Sequence, residues 1–111
     1  GFFMLEKKYD YKLTDEKIVE RIVNDQHINL NHMVLVKGSS LPEHYSNSNV
    51  YMIVVRGTMT LQLDEEEART YQQGNIINIP YNTKMNVHNL DEDVLEFFVV
   101  KSPNPKDYKE Q

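Results

Sequence analysis

The run Gly38-Ser39-Ser40-Leu41-Pro42-Glu43-His44-Tyr45-Ser46-Asn47-Ser48-Asn49-Val50-Tyr51-Met52-Ile53-Val54-Val55-Arg56-Gly57 is bounded by glycines and changes character halfway. Its first part is polar and turn-forming. From Val50 to Val55 it is continuously apolar or aromatic, the pattern of a strand covered on both faces. Side chains on a strand alternate between faces, so His44, Ser46, Val50, Met52 and Val54 share one face and Tyr45, Tyr51, Ile53 and Val55 the other. A second run, Gly74 to Asn89, has a similar outline: an apolar stretch, a turn at Pro80-Tyr81-Asn82, then Met85 and Val87 on one face. Between the two, Thr58-Met59-Thr60-Leu61-Gln62-Leu63 alternates polar and apolar. The acidic Asp64-Glu65-Glu66-Glu67 that follows reads as a hairpin turn with solvated carboxylates rather than a cation-binding loop.

Working outward, turn signals recur at Lys37-Gly38, Arg56-Gly57, Gln73-Gly74 and Asn89 to Asp93, a spacing that predicts an all-β sandwich or barrel. Ile28 to Val36 and Val94 to Val100 are strands, the latter with Leu95, Phe97 and Val99 as the inward set and Glu96, Phe98 and Val100 opposite. Ile18, Val19, Ile22 and Val23 follow a plausible helix start at Thr14-Asp15-Glu16 and fit helical spacing. Their β-branching favours a strand. Asn82 is suited to a left-handed turn position. Pro103 and Pro105 end pairing after the last strand. The chain reads as one domain over residues 1–111, with residues 1–17 as an amino-terminal extension and residues 101–111 as a charged tail.

Composition excludes several function classes. A chain of 111 residues, 40% hydrophobic, has enough apolar content for one core. The absence of cysteine removes disulfides, thiolate nucleophiles and cysteine-based zinc or iron–sulfur sites. A formal charge of −5, with no Lys/Arg cluster beyond Lys7-Lys8, argues against nucleic acid as a partner. No apolar run approaches the ~20 residues that span a bilayer, and no basic, apolar and small-residue succession marks a secretory signal. The expectation is a soluble, cytoplasmic protein without membrane partners, with Gly1 as a remnant of tag removal and the natural start near Met4.

The spacing of the two runs resembles the cupin family. Gly38 with His44, Gly57, Gly74 with Pro80, and Asn89 stand where the cupin motifs have them, and the resemblance implies a small single-domain double-stranded β-helix, a jelly-roll barrel. Cupin metal ligands are His, His and Glu in the first motif and His in the second; here those positions hold His44, Ser46, Val50 and Met85. One ligand of four survives, and Asn82 replaces a glycine. The resemblance thus implies the scaffold of a metal site with a degenerate ligand set. No cofactor is expected. If a metal is held at all, the imidazoles to hold it are His44 and His32, provided His32 points inward, which its apolar neighbours do not decide. His27 belongs to a turn and His88 points outward.

Within such a barrel His44, Ser46, Val50, Met52, Met85, Val87 and Phe97 form a mostly apolar ligand pocket, with His44 as its polar anchor or as a core histidine bonded to backbone or to Ser46. The expected function is metal-independent binding of an unknown small, largely apolar molecule. The alternative is a cupin enzyme, an isomerase, lyase or dioxygenase-like protein using His44, with or without a divalent metal; the inward face offers His44 no carboxylate partner. Tyr51, Ile53, Val55 and Phe98 make an outward apolar face that calls for a cover. Its candidates are a second subunit, giving a homodimer, and the amino-terminal segment with Phe2, Phe3 and Leu5. Lys84 stands at the barrel mouth.

Overall fold

Turns rich in Gly, Pro, Asn, Asp and Ser divide the described residues into nine short strands. The computed structural model describes residues 4–110, so Phe2 and Phe3 lie outside it. The strands are β1 (Ile18–Asn24), β2 (Asn29–Leu35), β3 (His44–Tyr45), β4 (Val50–Arg56), β5 (Thr58–Leu63), β6 (Arg69–Gln72), β7 (Ile76–Ile79), β8 (Lys84–His88) and β9 (Leu95–Lys101). They form two facing antiparallel sheets, β1-β2-β9-β4-β7 and β3-β8-β5-β6. The segment with two possible readings, Ile18 to Val23, is a strand: β1 pairs with β2, and tertiary pairing overrides its helical spacing. Among the described residues no helix is long and apolar enough to cross a membrane.

The inner faces follow from alternation. Leu35 of β2, Val50, Met52 and Val54 of β4, Ile77 and Ile79 of β7, and Leu95, Phe97 and Val99 of β9 meet Met59 and Leu61 of β5 and Met85 and Val87 of β8 in one core. Two sheet-switching turns hold the layers together. Gly57, at φ 80°, carries the chain from β4 to β5 where a Cβ would lie 2.2 Å from the Val94 carbonyl oxygen. The turn from β7 to β8 passes through Asn82 at φ 63°, the left-handed conformation expected of it. Buried Asn89 donates from Nδ2 to the Leu35 and Asp93 carbonyls, at 2.9 and 2.8 Å, and so ties the loop before β9 to the end of β2.

Two expectations change. The charged tail begins later than residue 101: Lys101 ends β9, and the chain then packs back on the barrel. Asn104 is buried, donating to Asn24 Oδ1 at 2.6 Å and the Asp25 carbonyl at 2.9 Å; Tyr108, after a 3-10 turn at Pro105–Asp107, stacks on Tyr81 at 4.3 Å. Phe98 finds a cover within its own chain, since Tyr11 meets it edge-on at 5.0 Å and also lies against His32. Leu5, in contrast, is fully exposed.

Candidate functional site: a cavity at one end of the barrel

Three methionines, Met33, Met52 and Met85, with Leu41, Val50, Val87 and Val99, enclose a cavity of about 50 Å³ between the sheets. That is several times the ~10–15 Å³ that admits one water. Its polar rim consists of Asn31, His44, Ser46 and Lys101. Of the seven residues expected from the sequence, six line it. Phe97 does not: fully buried, it belongs to the core. Strand register explains the residues that sequence reasoning missed. Asn31 pairs with Val99, and Lys101 with both Asn29 and Val50. Lys101 therefore continues the inward series Leu95, Phe97, Val99 by one step, a signal that period two carries and that treating residue 101 as tail hides.

His44 sits at the rim rather than inside, and is exposed. Its Nδ1 lies 2.9 Å from the Pro42 carbonyl, which only accepts, so Nδ1 carries the proton and Nε2 keeps a free lone pair. Ser46 is committed to the fold: Oγ donates to the Pro80 carbonyl at 2.6 Å and accepts from the Thr83 amide at 2.8 Å. Val50 offers no donor atom and Met85 only a thioether. A divalent first-row ion takes three or four nitrogen, oxygen or thiolate ligands, and the residues at the cupin ligand positions do not fit one. Among the described residues no group of three or more His, Asp or Glu side chains could supply them elsewhere.

His32 is not near enough in orientation to help. It shares the outward face of the larger sheet with Phe98 and Glu96, while the cavity lies on the inward face. Fully buried there, its Nδ1 is 2.7 Å from Glu20 Oε1 and its Nε2 2.6 Å from Glu96 Oε2. Ionised carboxylates accept only, so both ring nitrogens donate. Arg56 adds a bond to Glu96 at 3.1 Å and reaches the Thr14 carbonyl. The backbone N–H of Lys12 holds the Glu20 carboxyl below the usual carboxylate range. This network fastens the amino-terminal segment and β1 to the sheet. The remaining histidines stand as expected, His27 in a turn and His88 facing Ser40 Oγ at 2.6 Å.

The rim cation differs from the others. Lys84 bonds Glu65 at 2.6 Å, which raises its pKa. Burial lowers the Lys101 ammonium from the usual lysine range, and the neighbouring Arg21 charge adds to the effect.

Residues 31–101, which carry the whole cavity lining, match the family model described as a cupin domain. The chain belongs to the cupin family. An uncharacterised protein of Methanocaldococcus jannaschii is 48% identical over 104 residues, covering 93% of this chain and 90% of its own. A crystal structure from the same organism, described as an RmlC-like cupin family protein with a double-stranded β-helix fold, superposes at TM-score 0.91, with 94% and 96% of the two chains covered. A conserved double-stranded β-helix protein of Klebsiella pneumoniae shares the fold at TM-score 0.74 with 13% identity, covering 86% of this chain and 80% of that one.

Proposed function

We propose that this cupin domain binds a small, largely apolar molecule in the methionine-lined cavity without a metal. The observation that carries the reading is the wall itself: flexible thioethers and β-branched side chains surround a space with few polar groups at its rim, the usual build of a small-molecule site. Its volume sets the scale of the apolar part at a few carbon atoms. Catalysis at His44 has less support, because the ring is exposed and its one fixed partner is a backbone carbonyl.

Methyl-labelled methionine makes the test direct. Met33, Met52 and Met85 line the cavity, Met59 is buried in the core beyond it, and Met4 is exposed. On titration with butanamide, the methyl resonances of the first three are expected to move together while Met4 stays fixed. Unmoved cavity methyls up to the solubility limit would refute the reading. Elemental analysis of protein purified without chelator is expected to find no stoichiometric Zn, Fe, Ni, Mn or Cu; about one ion per chain, lost in His44→Ala, would refute metal independence.

A further inference from the structure

The cavity opens beside a groove of about 310 Å³, and Asn31 and Lys101 belong to both. Register explains the neighbourhood. Arg21 pairs with Asn31 across β1 and β2, and Lys101 pairs with Asn29 across β9 and β2, so two cations and two amides occupy the inward face at one end of the sheet. Lys106 closes the groove from the returning carboxyl-terminal segment. Among the described residues no carboxylate lines this groove, in a chain whose formal charge is −5. Every other inward position of β9 is apolar, and the ammonium of Lys101 is partly desolvated with another cation as its charged neighbour. Independently, Asn31 is 91% buried by its relative exposure of 9%, yet its Oδ1 has no hydrogen-bond partner. Leaving such a group unpaired is costly in a fold that otherwise satisfies its buried amides.

We propose that the ligand is a small organic anion, a carboxylate on a short apolar chain, with its head between Arg21 and Lys101 and its chain in the methionine-lined cavity. This rests on the cavity reading above and adds the head group to it. A guanidinium offers a carboxylate two parallel N–H donors, and an ammonium adds a point charge. Bringing an anion beside two like charges relieves their repulsion. Asn31 stands where the head and the chain meet, and a water or a hydroxyl next to the carboxylate would supply the donor that its Oδ1 lacks. Inorganic anions could use the groove alone; the apolar cavity would then contribute nothing.

The experiment compares butanoate, its neutral counterpart butanamide, acetate and inorganic phosphate, read by the methionine methyl resonances and by calorimetry at low ionic strength. Butanoate is expected to bind at least tenfold more tightly than butanamide and acetate. That preference should shrink in 0.5 M salt, as screened charges require. Lys101→Met is expected to abolish the preference for butanoate over butanamide, and Arg21→Gln to reduce it. Amide spectra of both variants check that the fold is intact. Equal affinity for butanoate and butanamide would overturn the head-group assignment and leave the cavity reading standing. Phosphate or acetate binding as tightly as butanoate would overturn the joint site, and no methyl response to any probe would overturn the cavity reading itself.

Discussion

Two glycines with nearly the same backbone angle carry different loads. Gly38 has φ 79° and nothing within 4 Å of an added Cβ; Gly57 has φ 80° and the Val94 backbone 2.2 Å away. Gly38→Ala should therefore cost only the left-handed strain, about 1 kcal/mol. Gly57→Ala adds a backbone clash that no rotamer relieves, and about 3 kcal/mol or outright misfolding is expected. Chemical denaturation of the two variants checks the contrast, and equal losses would contradict it. Ser46 poses the same kind of question. Its hydroxyl satisfies a buried amide at Thr83 and the Pro80 carbonyl, so Ser46→Ala is expected to cost about 1–3 kcal/mol. A methyl-labelled Met85 shifted in that variant would report the loosened turn. Alternation placed Ser46 inward correctly, but the partner of its hydroxyl depends on a turn 34 residues away.

At the scale of elements, β1 and the amino-terminal segment depend on charge more than on apolar burial. The folded-state pKa of Glu20 lies below its ordinary 4.5, first because the Lys12 amide donates to it and further because of His32. A lowered carboxylate pKa means stability that is fully present above about pH 4.5 and lost as pH falls through the folded value. Glu20→Gln keeps an acceptor for the Lys12 amide and removes the charge. Its unfolding free energy should accordingly fall less steeply than wild type below pH 4.5, as measured by urea melts across the acid range; parallel curves would contradict this. The strand pattern of β1 was legible in its β-branched residues. Its anchor was not, because the pairing of His32 with carboxylates 12 and 64 residues away is a product of the sheet order.

The whole molecule is more extended than its mass suggests. Its accessible surface is 7527 Å², against about 6,400 Å² for an ordinary monomer of 13.1 kDa. The excess, about 1,100 Å², is more than the roughly 800 Å² that each partner contributes to a typical interface. Met4, Leu5 and Leu13 of the amino-terminal segment are well exposed, as is Ile76 on β7, and Tyr51 beside it is 39% exposed. We propose that two chains associate through this face, with Tyr51, Ile53 and Ile76 contributing; Phe98 is already under Tyr11, and Val55 lies at the irregularity between Val54 and Arg56. Light scattering at micromolar concentration is expected to give about twice the chain mass, and to return toward one chain in Tyr51→Lys with Ile76→Lys. A wild-type mass of 13.1 kDa would rule the dimer out.

Local signals sufficed for the architecture because they are short-range. Turn residues, Gly and Pro at some boundaries and Asn, Asp and Ser at others, set the strand ends, period two set which side chains face inward, and the loss of ligand types at Ser46, Val50 and Met85 was visible as residue identity alone. Tertiary structure decided what happens at the ends of those patterns. His44 stands at the rim, on a strand only two residues long; His32 faces away from it because the pairing of β2 turns its neighbours Asn31 and Met33 toward the cavity. Lys101, Arg21 and Asn31 become neighbours only through that same pairing, which sets residues as distant in sequence as Asn29 and Lys101 side by side. Hydrogen-bond register across strands is a long-range property, and no alternation read along one strand contains it.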